Sequence, residues 1–266
     1  MRIALISDIH GNYVSLQAVL ADIERQRVDE IICLGDVATL GPQPEKVVAT
    51  LKALGCPSVL GNHETFLFDI KLGRTYMNED WFIDSVTWTF NKLSKADLNY
   101  LKTYQSFLKF KLAPNITLLC YHGSPRSNVE NIFAVTPPEL LDEMLDGYTS
   151  TIMAGGHTHV QMMRQHNGIL IVNAGSVGMP FEQMPFKDTP RVLPWAEYTI
   201  LNLDQGRIGV ELCRIPIDIE LVKQAALDSG MPETRDWIKN WVSISSGSVS
   251  PSGHTRALGY SSKKSL

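Results

Sequence analysis

A chain of 266 residues, 44% hydrophobic and 20% charged, has the make-up of an ordinary globular protein and is short enough to form one domain. Its net charge of −4 argues against an extended nucleic-acid surface, which would be basic. No apolar run is long enough to span a membrane, no leader-type segment precedes the first predicted strand, and the four cysteines follow no metal or disulfide spacing, so the expected compartment is the reducing cytoplasm.

Residues 2–7 predict a buried strand that runs into Asp8-Ile9-His10. Apolar positions at Val14, Leu16, Val19, Leu20 and Ile23 predict a helix over 14–25. Asn12 suits the N-cap of that helix, with substrate contact as its other reading. A strand over 30–34 reaches Gly35-Asp36. A loop with Pro42 and Pro44 then leads to a helix over 45–54 that Gly55 stops. A strand over 57–60 reaches Gly61-Asn62-His63-Glu64. This alternation predicts a sheet with parallel neighbours.

Residues 65–107 interrupt the rhythm as a helical insertion, expected to wall one side of the crevice at the strand ends. Trp81, Phe82, Trp88 and Phe90 fall in a helical stretch, and Ser94 with Asp97 resembles a capping box. These aromatics read as packing residues rather than as a platform for substrate. A strand over 116–121 ends at His122, a helix covers 138–145, and a strand over 151–155 ends at Gly156-His157-Thr158-His159. Asn167-Gly168 marks one hairpin, and Asp204-Gln205-Gly206 joins strands over 198–203 and 208–214 as another. Residues 218–242 read as helical with breaks at Gly230 and Pro232. Residues 243–266, rich in Ser and Gly, read as a mobile tail, which leaves a domain over 1–242.

Five of the seven histidines sit at the ends of the five predicted strands, and strand ends in an open α/β sheet converge on one crevice. Residues i and i+2 of an extended strand share a face, which pairs Asp8 with His10 and His157 with His159. Imidazole, carboxylate and amide oxygen together suit Mn, Fe, Zn or Ni better than Ca or Mg. Asp36 has two oxygens with which to bridge two ions, and two-metal hydrolases hold their ions about 3.5–4 Å apart. Two divalent ions, Asp8, Asp36 and one hydroxide sum to about +1, enough to draw an anionic ester to an acidic chain. Arg126, just after His122, is a candidate for holding a phosphate oxygen. His166 and His254 match no pattern and read as surface residues.

The order Asp-x-His, Gly-Asp, Gly-Asn-His-Glu, His, Gly-His-x-His, running from Asp8 to His159, resembles the calcineurin-like metallophosphoesterase superfamily. Residues 35–42 and 121–125 resemble its YfcE-like phosphodiesterase group. The resemblance implies a four-layer α/β/β/α sandwich of two mixed β-sheets flanked by helices. It implies one metal on Asp8, His10, Asp36 and His159, and a second on Asp36, Asn62, His122 and His157, with manganese favoured. A metal-bridging hydroxide would attack the phosphorus of a small phosphodiester, nucleotides among the candidates, while His63 faces the leaving group as proton donor or transition-state stabiliser. Glu64 would orient the loop. Thr39 stands where many members carry an Asp that orients the histidine, so what holds His63 is left open, and Ala174 stands where a proline is usual. A phosphomonoesterase or phosphoprotein phosphatase would use the same ligands; a binding scaffold on this fold would have lost some of them. The oligomeric state is open.

Overall fold

The computed structural model describes residues 1–182 and 191–242, so the stretch read as a tail over 243–266 lies outside the described residues. Strand β1 (Arg2–Ile6), helix α1 (Tyr13–Gln26), β2 (Glu30–Cys33) and α2 (Pro44–Leu54) open the chain. Four helices follow: α3 (Asn62–Phe68), α4 (Ile70–Tyr76), α5 (Asp80–Lys92) and α6 (Lys95–Leu101). Then come β3 (Leu108–Ala113), β4 (Ile116–Cys120), α7 (Pro138–Leu145), β5 (Ile152–Gly155), β6 (Met162–His166) and β7 (Ile169–Asn173). The described chain closes with β8 (Trp195–Asp204), β9 (Arg207–Pro216), α8 (Ile219–Ser229) and α9 (Thr234–Lys239).

The strands form two mixed sheets, β2-β1-β8-β9 and β3-β4-β5-β7-β6. Alternation along β1 divides the core. Ile3 and Leu5 meet Leu118, Cys120, Ile152 and Val172 between the sheets, whereas Ala4 and Ile6 meet Leu16, Val19, Val47 and Leu51 of α1 and α2. On the far side, Leu141, Met144 and Leu145 of α7 cover Leu119, Met153 and Ile171. These are the four layers α/β/β/α. The parallel pairs β1–β2 and β4–β5 bring the ends of four strands to the same rim.

The helices over 14–25, 45–54 and 138–145, the capping box at Ser94 and both hairpins occur as expected. Three features differ. The segment 57–60 makes only isolated bridges, Ser58 to Cys33 and Val59 to Gln105, because the chain enters α3 almost at once. Strand β3 has no counterpart in the sequence reading; its residues alternate between partly buried and exposed, and the lysines at 109 and 111 obscure that period. Of the four aromatics read as packing residues, Phe82 is buried, whereas Trp81 and Phe90 are exposed.

The rim loops lock together by close backbone approach. A Cβ at Gly41 would overlap the carbonyl oxygen of His10, and Gln43 N–H donates to the Gly11 carbonyl beside it. Gly41→Ala should therefore lower unfolding stability by about 1–3 kcal/mol, read as a shift in the urea midpoint. An unchanged midpoint would show that the two loops are free to separate.

Candidate metal centre

Seven side chains from five rim loops meet at one point. The ligand atoms of Asp8, His10 and His159 lie within 4.8 Å of one another, as do those of Asp36, His122 and His157, and those of His10, Asp36 and His63. Strand alternation does not produce this convergence. β1 stops at Ile6 and β5 at Gly155, and beyond them Asp8, His10, Asp36, His157 and His159 all take left-handed backbone, with φ between 47° and 68°. These turns aim the side chains inward, which corrects the extended-strand reading of the Asp8/His10 and His157/His159 pairs.

Backbone contacts between loops hold those conformations. Asp8 N–H donates to Gly35 O, His10 N–H to Asp36 O, and Gly178 N–H to Asp8 O. His157 N–H donates to Asp8 Oδ2 at 2.9 Å, and His63 N–H to Asp36 Oδ1 at 2.9 Å. Asp36 Oδ2 faces the centre, 3.1 Å from His122 Nε2 and 3.9 Å from His10 Nε2. Glu64 accepts from the backbone N–H groups of Asp36, Val37 and Gly61, and so fixes the Asp36 loop as expected. Asn173 donates to Gly156 O and Thr158 Oγ1 and accepts from Gly175 N–H, which secures the His157/His159 loop although Ala174 lacks the proline ring.

Three imidazoles are set by their outer nitrogen. Nδ1 of His10 pairs with Thr39 O at 3.1 Å, that of His122 with Leu34 O at 2.7 Å, and that of His159 with Met179 O at 2.7 Å. A carbonyl there makes Nδ1 the protonated nitrogen and leaves the Nε2 lone pair facing inward, the arrangement a metal-binding histidine needs. His10 Nε2 and His159 Nε2 then stand 3.0 Å apart, and Asp8 Oδ1 is buried with no hydrogen-bond partner. The inward atom of the Asn62 amide lies 2.9 Å from His157 Nδ1, 3.0 Å from His122 Nε2 and 3.2 Å from Asp36 Oδ2. With its oxygen inward, Asn62, His157 and Asp36 turn lone pairs toward the space that His122 Nε2 also faces, and a cation there would take the place of the proton that His122 otherwise holds.

The charges agree with that fit. Burial pushes His10 down to about 3 and His157 to about 4, each helped by neighbouring imidazoles, so both are neutral lone-pair donors near neutral pH. Burial would raise Asp8, yet His159 and His122 beside it hold the carboxyl at about 2. Burial also opposes charge on His122, but Asp36 and Asp8 push it up to about 10. The two carboxylates therefore favour positive charge here strongly enough to overcome desolvation. The donor set, two aspartates, four imidazoles and one amide, suits borderline transition metals.

His63 borders this cluster, with Nε2 3.9 Å from Asp36 Oδ2. Its Nδ1 meets Thr39 Oγ1 at 2.5 Å, so the hydroxyl of Thr39 occupies the place left open by the missing carboxylate. Asn12 caps α1, accepting from Ser15 N–H while its amide donates to Gly178 O; it is fully buried and both ends are in use. Arg126 engages Glu130 through Nε and Nη2 and the Glu143 carbonyl through Nη1. It does not line the cavity that opens on the cluster. His166 is not a surface residue: it is 9% exposed and bonded to Asp142 at 2.7 Å, because the β6–β7 hairpin folds it against α7. His254 lies outside the described residues.

The helical insertion over 65–107 walls this cavity, as the sequence leads one to expect: Tyr76, Met77 and Trp81 from α4–α5 line it. Phe181, and Met231 and Trp237 near α9, complete the lining; they lie far from the insertion in sequence and share no spacing with it, so no local signal marked them.

Comparison with known proteins agrees with this geometry. Residues 1–190 match the model of the calcineurin-like phosphoesterase superfamily domain. An uncharacterised protein of Methanocaldococcus jannaschii is 26% identical over 246 residues, 87% of this chain and 94% of that protein. The crystal structure of a metallophosphoesterase from Sphaerobacter thermophilus superposes with a TM-score of 0.68 at 27% identity, covering 90% of this chain and 98% of that one. A symmetrical bis(5′-nucleosyl)-tetraphosphatase of Hamiltonella defensa is 38% identical over 77 residues, 28% of each chain. Among the described residues no helix is long and apolar enough to cross a membrane. With its matched rim loops and its buried Asp/His cluster, the chain belongs to the calcineurin-like phosphoesterase superfamily, metal-dependent hydrolases of phosphate esters.

Proposed function

We propose that the protein is a dinuclear phosphodiesterase of the cytoplasm. Asp8, His10, Asp36 and His159 hold one divalent ion; Asp36, Asn62, His122 and His157 hold the other. The observation that carries this reading is the pair of adjacent ligand groups with Asp36 Oδ2 between them. Asp36 would be the residue common to both sites, while its Oδ1 also accepts from His63 N–H. Manganese is the favoured ion within the Mn, Fe, Zn and Ni set. The ions supply Lewis acidity toward the phosphoryl oxygens and a water acidic enough to deprotonate near neutral pH.

The chain's own groups do the rest. The carbonyl-anchored imidazoles keep their inward lone pairs fixed. Burial lowers His63 below its ordinary value, so near neutral pH it is mainly a neutral imidazole. Thr39 at Nδ1 fixes the ring with Nε2 toward the reacting ester. There the Nε2–H of the neutral ring donates a hydrogen bond to the leaving oxygen, and proton transfer would fall to the minor imidazolium form, which returns to neutral imidazole. A hydroxyl, unlike a carboxylate, adds no charge to favour imidazolium. Diester preference rests on the family likeness.

With the metal-loaded protein, bis-p-nitrophenyl phosphate should be cleaved with higher kcat/KM than p-nitrophenyl phosphate, with about two ions per chain by metal analysis. Faster monoester cleavage would favour the phosphomonoesterase or phosphoprotein phosphatase alternative, and a protein that takes up no transition metal would be a binding scaffold. Asp36→Asn should cut turnover more than about 100-fold and lower metal content at both positions, since it exceeds an outer-shell change; near-normal turnover would refute the shared ligand. His63→Gln should lower kcat about 100-fold with metal retained. Thr39→Val should lower kcat about tenfold with KM and metal content unchanged, and Thr39→Ser should restore it. Equal rates for Val and Ser would show that the hydroxyl does not orient His63.

A further inference from the structure

We infer that the cavity beside the metal cluster is a specificity pocket for esters that carry one planar aromatic, nucleobase-sized group on a single phosphate, and that it disfavours polyphosphates. This rests on the phosphoesterase reading and concerns the part of the substrate that does not react. The cavity, about 600 Å³, opens directly on His10, Asp36, Asn62, His63, His157 and His159, a size typical of small-molecule sites. Its far wall is aromatic. Trp81 is 46% exposed and Tyr76 39% exposed; each rests on Phe82 and keeps part of its surface open in the lining. Phe181 stacks flat on the His159 ring, centroids 4.4 Å apart and planes 10° from parallel, which continues the aromatic surface up to the ligand shell.

The charge of the lining decides what can fill it. A second or third phosphate would call for Arg, Lys or a comparable donor array. Among the described residues the lining contains no lysine or arginine, and it includes Glu233 and Asp236. Asp236 pairs with Lys239 at 2.6 Å, and Glu233 adds a further acidic group to the lining. With no lysine or arginine in the described lining, the ions would supply the charge that holds one phosphate. A flat apolar ring against Trp81 and Tyr76 gains stacking energy, whereas an alkyl substituent leaves those rings wet.

The test uses the full-length, metal-loaded protein and substrates with one leaving group. The kcat/KM for thymidine 5′-(p-nitrophenyl) phosphate should exceed that for methyl p-nitrophenyl phosphate by about tenfold or more, and a bis(5′-nucleosyl) tetraphosphate should be cleaved more slowly than the thymidine ester. In Trp81→Ala, a change at an exposed position, the thymidine-to-methyl ratio should fall about tenfold. Equal values for the two esters, a ratio unmoved by the substitution, or preference for the tetraphosphate would overturn the pocket. Hydrolysis of none of these would reject the phosphodiesterase reading instead. The pocket would then be judged by tryptophan fluorescence: saturable quenching by thymidine 5′-monophosphate but not by methyl phosphate, weakened in Trp81→Ala, supports it, and its absence rejects it.

Discussion

Left-handed backbone at the rim is the constraint on which the centre depends. Five of the ten non-glycine residues with positive φ among the described residues are Asp8, His10, Asp36, His157 and His159. Each such conformation costs on the order of 1–3 kcal/mol and persists only where surrounding structure enforces it. Here the enforcement is mutual. The Asp8 loop donates to the Asp36 loop, the His157 loop donates to the Asp8 carboxylate, and the segment at Gly178 donates back to Asp8 O. No one loop could hold its turn alone, so the metal centre and the joint between the two sheets form one unit.

That arrangement explains why each polar atom near the centre has a single task. Asp36 divides its carboxylate, Oδ1 anchoring the His63 loop and Oδ2 facing the ligand groups. Glu64 has no inward role, and its oxygens are spent on backbone N–H groups. Burial and the nearby Asp36 charge raise its acid to about 7, so the backbone partners offset only part of its desolvation cost. His63 receives a neutral hydroxyl from Thr39. The outer contacts thereby fix geometry, while charge is left to the two aspartates and whatever cations they hold.

The crevice is asymmetric. One side is polar and built from the sheet-end loops; the other is apolar and comes from the helices after Gly61 and from the C-terminal helices. The interruption of the strand–helix rhythm after residue 64 is thus the source of the pocket wall. In the same way α9, remote in sequence from every metal-type motif, contributes Trp237 to the lining.

Much of the molecule was legible in the sequence. The identities and order of the seven candidate ligands, the helices at 14–25, 45–54 and 138–145, and both hairpins follow from local signals: strand-like runs, a 3.6-residue stripe, a stop at Gly55, Asn-Gly turns. Such signals reach only a few residues along the chain. They placed Asp8 and His10 on a common face for the wrong reason, since the turn that unites them is imposed by the Asp36 loop and not by pleating. They missed β3, whose exposed lysines hide its period, and could not say that Thr39 meets His63 or that Trp81 and Phe181 wall one cavity. Those facts are set by contacts between segments tens to hundreds of residues apart, and only the packing of the two sheets and their helices brings such segments within reach.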